Sequence, residues 1–251
     1  MKPEVKQLYI KTKGIVLREV KYRDNDKLLT VLTEDLGKIT VLSFGSRSVK
    51  GKNAATSQVF AYSELTIVKK GERFTLETSD PIEIFYALRG DIKKLALAQY
   101  FVQLTDFVTY EGEEKTQILY LLCNCLFALC RTGKDLKQIK AAFELKALCH
   151  SGYAPQTGVC FSCGSCEKLY FSFGAGTSFC ANCSKDKEDL TPLNASVINA
   201  MNFIKDSAEP KLLSFLLSEE NLLLLSTISE RYVLTVLEKK FSALEFYNNL
   251  T

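Results

Sequence analysis

The chain has 251 residues, 47% of them apolar and 24% charged, with a net charge of +3. That balance excludes fibrous and disordered classes and allows one large core or two small ones. The charge is unevenly placed: residues 1–80 hold 15 Lys/Arg against 10 Asp/Glu, and the remaining 171 hold 17 against 19, so an anionic partner is expected at the front.

The first 80 residues read as short strands rich in Val, Ile, Thr, Leu and Phe: Gly14–Lys21, Lys27–Thr33, Lys38–Phe44, Val59–Lys69 and Arg73–Thr78. Glu34-Asp35-Leu36-Gly37 and Lys70-Gly71-Glu72 are hairpin turns, with glycine supplying positive φ. Five short strands in this length suit a closed barrel, which removes exposed edges, and an oligonucleotide-binding (OB) barrel is the common solution. One connection, Gly45–Ser57, has three cations, two glycines and no acidic residue; loops of this length are usually functional or mobile.

After Pro81 the apolar period changes to that of a helix. Asp91 is placed to cap a helix through Ile92, Leu95, Val102 and Val108. Glu113 and Glu114 are expected in the first turn of the next, where the helix dipole favours them. A third runs from Asp135 with Leu136, Ile139, Phe143 and Ala147 on one stripe, and stops before Gly152. Residues 153–190 turn Gly-, Ser- and Cys-rich, and helices resume near Leu193. The clearest comes last, with Val233, Val236, Leu237, Phe241 and Leu244 on one face. The expected fold is α+β: an OB barrel over residues 1–80, then a helical domain over 81–251 with an inserted four-cysteine, zinc-ribbon-like segment at about 153–190.

Met1 to Tyr9 lacks the apolar centre of a secretory signal, and the longest apolar run, Ile118–Cys130, falls short of the roughly 20 residues that a membrane span needs. A cytosolic chain is expected, in which nine cysteines point to metal binding or burial. Cys160-Phe-Ser-Cys163-Gly and Cys180-Ala-Asn-Cys183 are two CxxC pairs separated by 16 residues, the spacing of a zinc site. Two residues between thiolates let one turn aim both sulfurs at an ion about 2.3 Å away, and four thiolates close the coordination sphere, making the ion structural. Four free thiols in a surface loop, or a redox CxxC, are the competing readings. Cys160, Cys163 and Cys166 imitate an iron–sulfur run, but Tyr170 stands where its fourth cysteine would be. Cys123, Cys125 and Cys130 read as small buried hydrophobes.

A single histidine, His150, limits acid–base and triad chemistry, and the phosphate-binding and nucleophile motifs are missing. Asp24 and Asp26 read as a solvated turn rather than a metal pair. In the barrel region cations and rings interleave: Lys13, Arg18, Lys21 and Arg23 lie near Tyr22, Phe44 ends the third strand, and Arg47, Lys50 and Lys52 crowd the long loop. Single-stranded DNA is held by such a mixture of cations and stacking rings. Phe60 and Tyr62 are expected to share a strand face, with Phe60 and Phe74 assigned to the core.

Residues 14–48, GIVLREVKYRDNDKLLTVLTEDLGKITVLSFGSRS, resemble the N-terminal signature of the bacterial recombination-mediator family RecO. The opening strand, acidic turn, "T…GK" hairpin and Gly-plus-basic loop occur in that order, and the likeness continues through the helices and the CxxC…CxxC. The resemblance implies an OB barrel, a helical domain and one structural zinc ion on Cys160, Cys163, Cys180 and Cys183. It implies DNA contacts at Arg18, Lys21, Arg23, Arg47, Lys50 and Lys52. It implies binding of single- and double-stranded DNA, annealing of complementary strands, and partnership with RecR and the tail of the single-strand-binding protein. The role implied is a non-catalytic one, helping RecA load on coated single strands, in the cytoplasm at the nucleoid. Two readings compete: a zinc-ribbon scaffold or transcription regulator without annealing activity, and a magnesium-dependent nuclease built on Asp24 and Asp26.

Overall fold

The computed structural model describes residues 7–250, so the first six residues of the expected barrel domain lie outside the described residues. The chain forms two compact units, Met1–Leu126 and Phe127–Thr251.

The first unit is built on β1 (Gln7–Tyr22), β2 (Asp26–Thr33), β3 (Gly37–Ser43), β4 (Tyr62–Lys70) and β5 (Arg73–Glu83). They close into a barrel in the order β1-β2-β3-β5-β4, antiparallel except where β3 meets β5. This is the expected five-stranded OB barrel. Period-two alternation drives it: along β3, Ile39 and Val41 point inward and Thr40 outward. Val16, Leu29, Val31, Leu65, Ile67 and Leu76 complete the core, with Phe74 packed at its margin.

The strand β1 begins seven residues before the expected Gly14 and serves two neighbours. Its first half pairs with β4 and its second with β2, and a register shift between Val16 and Arg18 bends it from one to the other. Its early half was hidden because outward Tyr9, Lys11 and Lys13 dilute the apolar signal. Conversely, β4 starts at Tyr62 rather than Val59. Phe60 adopts φ 76, donates its N–H to the Val16 carbonyl at 3.1 Å, and is buried ahead of the strand, so it shares no strand face with Tyr62.

A short helical turn, Tyr86–Gly90, leads to α1 (Ile92–Val108), capped as expected by Asp91, whose carboxylate accepts from the N–H groups of Lys93 and Lys94. The next helix, α2 (Thr116–Arg131), starts after Glu113 and Glu114, so neither stands in its first turn. The reason is tertiary: the segment before α2 is tied to β3, with the Gly112 N–H donating to the Lys38 carbonyl at 3.2 Å. The Lys38 ammonium in turn holds Asp106 of α1 at 3.0 Å.

The second unit contains α3 (Leu136–His150), β6 (Leu169–Ser172), β7 (Thr177–Cys180), β8 (Leu190–Pro192), α4 (Ala195–Asp206), α5 (Glu219–Leu237) and α6 (Ser242–Asn248). Asp135 caps α3 by accepting from the Lys137 N–H. The expected single apolar stripe on α3 is too narrow: Gln138 through Leu148 are buried on every side, packed partly by α4 and α5. Two charges travel inside with it. The Lys140 ammonium lies 3.2 Å from Glu144 and 2.8 Å from Glu230, and the Ser229 hydroxyl donates to Glu144. The last helix breaks where continuity was expected, because Glu238 takes the left-handed conformation at φ 48 and ends α5. Phe241 and Leu244 are nonetheless buried. No described helix is long and apolar enough to cross a membrane.

Candidate nucleic-acid interface and metal centre

The sequence-expected cations Arg18, Lys21, Arg23, Arg47, Lys50 and Lys52 are all exposed. The fold brings the last five to one region of the barrel. Lys21 stands near the end of β1 and Arg23 in the β1–β2 turn, and residues 45–57 fold against that turn. The Arg47 N–H donates to the Asn25 carbonyl at 3.0 Å, and its guanidinium donates to the carbonyls of Arg23 at 2.9 Å and Asp24 at 2.6 Å. Arg47 therefore fixes the loop to the turn while its remaining donors face solvent. Arg18 stands farther back on β1, opposite Thr30.

Residues 45–57 form a chain of hydrogen-bonded turns rather than an open strap. Ser48, Gly51 and Ala54 each donate a backbone N–H three residues back, at 3.2, 2.8 and 3.0 Å. The Ser57 hydroxyl meets Ser43 at 2.9 Å, Thr56 bonds to Ser79, and Lys27 donates to the Ser57 carbonyl at 2.8 Å. Asp26 accepts from the Gly45 N–H at 2.9 Å. These anchors leave Lys50 and Lys52 projecting from a fixed backbone. The anchoring side chains of Asp26, Lys27, Ser43 and Ser79 gave no periodic signal, so pattern reading missed the anchors and not the cations. Phe44, 55% exposed, sits beside this region, and the Arg23 guanidinium lies 5.2 Å from the centre of the Tyr22 ring. Rings of this kind can stack on bases while the cations neutralise phosphates.

The other centre lies in the second unit. The Sγ atoms of Cys160, Cys163, Cys180 and Cys183 all lie within 4.8 Å of one another, the one such metal-ligating group among the described residues. The sulfurs of Cys163 and Cys180 are 3.7 Å apart; two sulfurs bound to one tetrahedral ion lie roughly 3.8 Å apart. Each CxxC is a tight turn. The Gly164 N–H donates to the Cys160 carbonyl at 2.8 Å with Gly164 at φ 74, and the Ser184 N–H donates to the Cys180 carbonyl at 3.0 Å. The β6–β7 hairpin carries Cys180 opposite Leu169, and Leu169 and Phe179 pack against the sulfurs.

Burial opposes ionisation of Cys160, yet the backbone N–H groups of Cys180, Cys163 and Ser162 bring its thiol down to about 6. The Cys183 N–H lowers Cys180. Neighbouring sulfurs, those of Cys163 and Cys180 first, push Cys183 up to about 12. Cys163 is raised by the sulfurs of Cys160 and Cys180, against the pull of the Ser165 N–H. Thiolates this close repel one another, so a dication is the group that lets all four ionise together. The four residues can therefore hold a metal ion, and four thiolates leave it no open position.

Cys166 is exposed and stands outside the group. Cys125 is buried in α2, and burial pushes the Cys123 thiol up to about 12. His150 is paired with Glu209 at 3.0 Å.

Two family models match the chain: recombination protein O N-terminal over residues 7–85, and recombination protein O C-terminal over residues 89–245. The chain belongs to the recombination protein O (RecO) family. A DNA repair protein RecO of Acetivibrio thermocellus is 33% identical over 244 residues, 96% of this chain and 97% of the relative. One from Caldicellulosiruptor bescii is 32% identical over 241 residues, 95% of this chain and 97% of the relative. Another, from Alkaliphilus metalliredigens, is 34% identical over 206 residues, 80% of this chain and 84% of the relative. The chain is thus a member of a DNA repair family, with the N-terminal family segment falling on the barrel and the C-terminal one taking in the cysteines.

Proposed function

We propose that this RecO-family chain is a non-catalytic recombination mediator that binds single- and double-stranded DNA with its barrel and anneals complementary strands. Residues 1–80 form the DNA-binding domain in this reading, and residues 81–251 the helical domain. Lys21, Arg23, Lys50 and Lys52, with Arg18 behind them, contact phosphates, and Arg47 both contacts DNA and holds the loop to the turn. The observation that carries this reading is the basic loop pinned by Asp26, Lys27 and Arg47 beside the exposed ring of Phe44 and the half-buried ring of Tyr22. Annealing needs no reacting side chain. Two strands repel through their phosphates, and a surface that neutralises several on each lowers that barrier.

The cysteine group holds one structural zinc ion, with Cys160, Cys163, Cys180 and Cys183 as ligands; the ion clips the hairpin into the helical unit and takes no part in DNA chemistry. The partners are RecR, the tail of the single-strand-binding protein and, functionally, RecA, in the cytoplasm at the nucleoid.

The test is the double variant Lys50→Glu/Lys52→Glu, which spares the structural hydrogen bonds of Arg47. Each phosphate contact to a single strand contributes about 0.7 to the slope of log affinity against log salt, so losing two should flatten it by about 1.4. Annealing of two labelled complementary strands should slow in parallel, with no cleavage in magnesium. An unchanged slope removes the loop from the interface, and cleavage products would replace the mediator reading with a nuclease.

A further inference from the structure

We propose that the barrel carries a second polyanion-binding pole, on the outer face of β1, β4 and β5, formed by Tyr9, Lys11, Lys70 and Arg73, and that it holds a second nucleic-acid strand. This rests on the reading of the protein as a strand annealer.

Residues directly opposite in an antiparallel ladder share a face. Across β1, β4 and β5 the rows are Gln7–Lys70–Arg73, Tyr9–Val68–Thr75 and Lys11–Thr66–Thr78. Lys70 and Arg73 therefore stand side by side, Lys11 lies two rows away, and Tyr9, 61% exposed, lies between them. The cations are exposed too, and among the described residues no carboxylate forms an ion pair with any of them. Like charges opposed across a ladder are unfavourable, so a partner that neutralises them gains what the free barrel lacks. On the inner side of the same hairpin, Lys69 lies over the Phe74 ring and adds a nearby positive charge. The tip at Gly71 projects into open space. Cations framing an exposed ring suit a single strand, whose phosphates and bases alternate.

The two poles are separate sites rather than one track. Lys11 and Lys21 lie on the same strand, and their ten-residue separation gives a contour of about 33 Å. The bend between Val16 and Arg18 brings the poles nearer than this contour, but 0.1 M salt screens charges over about 10 Å, so strands held farther apart than that repel little. Between the poles the next row, Lys13–Glu64–Asp80, turns acidic. Glu34, Asp35, Glu64 and Asp80 gather there round a cavity of about 320 Å³ whose near wall is Lys11 and Lys13; the four carboxylates outnumber those two cations and discourage a single strand from running through. One small barrel can thus carry two strands close together without forcing their phosphates into contact.

The experiment counts oligonucleotides. The full-length chain is titrated at low salt with a labelled oligothymidylate of about six nucleotides, near the lower limit of site size for this fold. The wild type should bind two per chain, and Lys70→Glu/Arg73→Glu should bind one with affinity unchanged and anneal at least tenfold more slowly. Lys50→Glu/Lys52→Glu should also bind one, at the hairpin pole. Glu72→Lys, which adds charge at the hairpin without removing a contact, should tighten the second binding event; it guards against a misfolded hairpin double variant. Two bound oligonucleotides and unaltered annealing in Lys70→Glu/Arg73→Glu, or no effect of Glu72→Lys, would overturn the second pole. If only the loop variant left binding and annealing intact, the loop interface would fail while the hairpin pole stood.

Discussion

Replacing Gly37 by alanine tests how the barrel is joined to the segment that precedes α2. Gly37 closes the β2–β3 turn at φ +64, and a Cβ there would meet the Glu113 carbonyl oxygen at 2.1 Å and its carbon at 2.6 Å. Left-handed backbone costs alanine about 1–2 kcal/mol. The colliding atoms are backbone and cannot swing aside. Moving them endangers the Gly112 N–H to Lys38 carbonyl bond and the neighbouring Lys38–Glu111 bridge, a further loss of about 1 kcal/mol. The expected total is about 2–3 kcal/mol, or about 5–10 °C in Tm for a chain of this size. Gly71 is the control: its φ is +60, but nothing lies within 4 Å of the added methyl. Alanine there meets only the backbone penalty, offset by about 0.4–1 kcal/mol from a stiffer unfolded chain, for a net loss near 1 kcal/mol or less. Urea unfolding of both variants, followed by far-UV circular dichroism, compares them directly. Equal losses at the two positions would refute the close approach of Glu113 to the turn.

Two further outcomes follow from the second unit. Cys180→Ser should reduce bound zinc from one ion per chain to none by elemental analysis and expose the β6–β7 hairpin to protease, while annealing persists; a variant that keeps a full equivalent would disprove the four-thiolate site. Burial pushes the Tyr232 phenol from 10.0 up to about 12, and its hydroxyl donates to the Tyr153 carbonyl at 3.1 Å. The folded chain thus keeps this proton to higher pH than the unfolded chain, so its contribution is intact below pH 10 and is lost as pH rises through 12. Tyr232→Phe should lessen that fall in the urea midpoint, and an unaltered fall would assign it to other groups.

The barrel was legible because its strands alternate and its turns carry glycine where φ is positive, as at Gly37 and Gly71. The cysteine cluster was legible because two matched spacings constrain four sulfurs whatever surrounds them. Legibility failed where tertiary contacts decided the local structure. Phe60 turns inward because Val16 supplies hydrogen bonds across the barrel, which no local pattern encodes. Glu113 stays out of α2 because its segment is held against β3. Lys140 and Glu144 carry no apolar signal that marks them as interior, yet each supplies the countercharge that lets the other be buried, with Glu230 and Ser229 completing the network. The β8 strand was missed because three residues ending in proline carry almost no strand signal. The order within residues 45–57 was also invisible, since it depends on Asp26, Lys27 and Ser79 lying elsewhere in the chain.

The way the sheets end bears on how other chains can approach. The barrel closes through β4 against β1. In the small sheet, the outer side of β7 is occupied: the Ser178 N–H donates to Gln156 at 3.1 Å, and its carbonyl accepts from Phe161 at 2.9 Å. The opposite border, β8, is three residues long and finishes at Pro192, which has no N–H to offer. A foreign β-segment therefore meets no long vacant ladder among the described residues. Copies of the chain brought close together are thereby kept from pairing edge to edge and growing into fibrils.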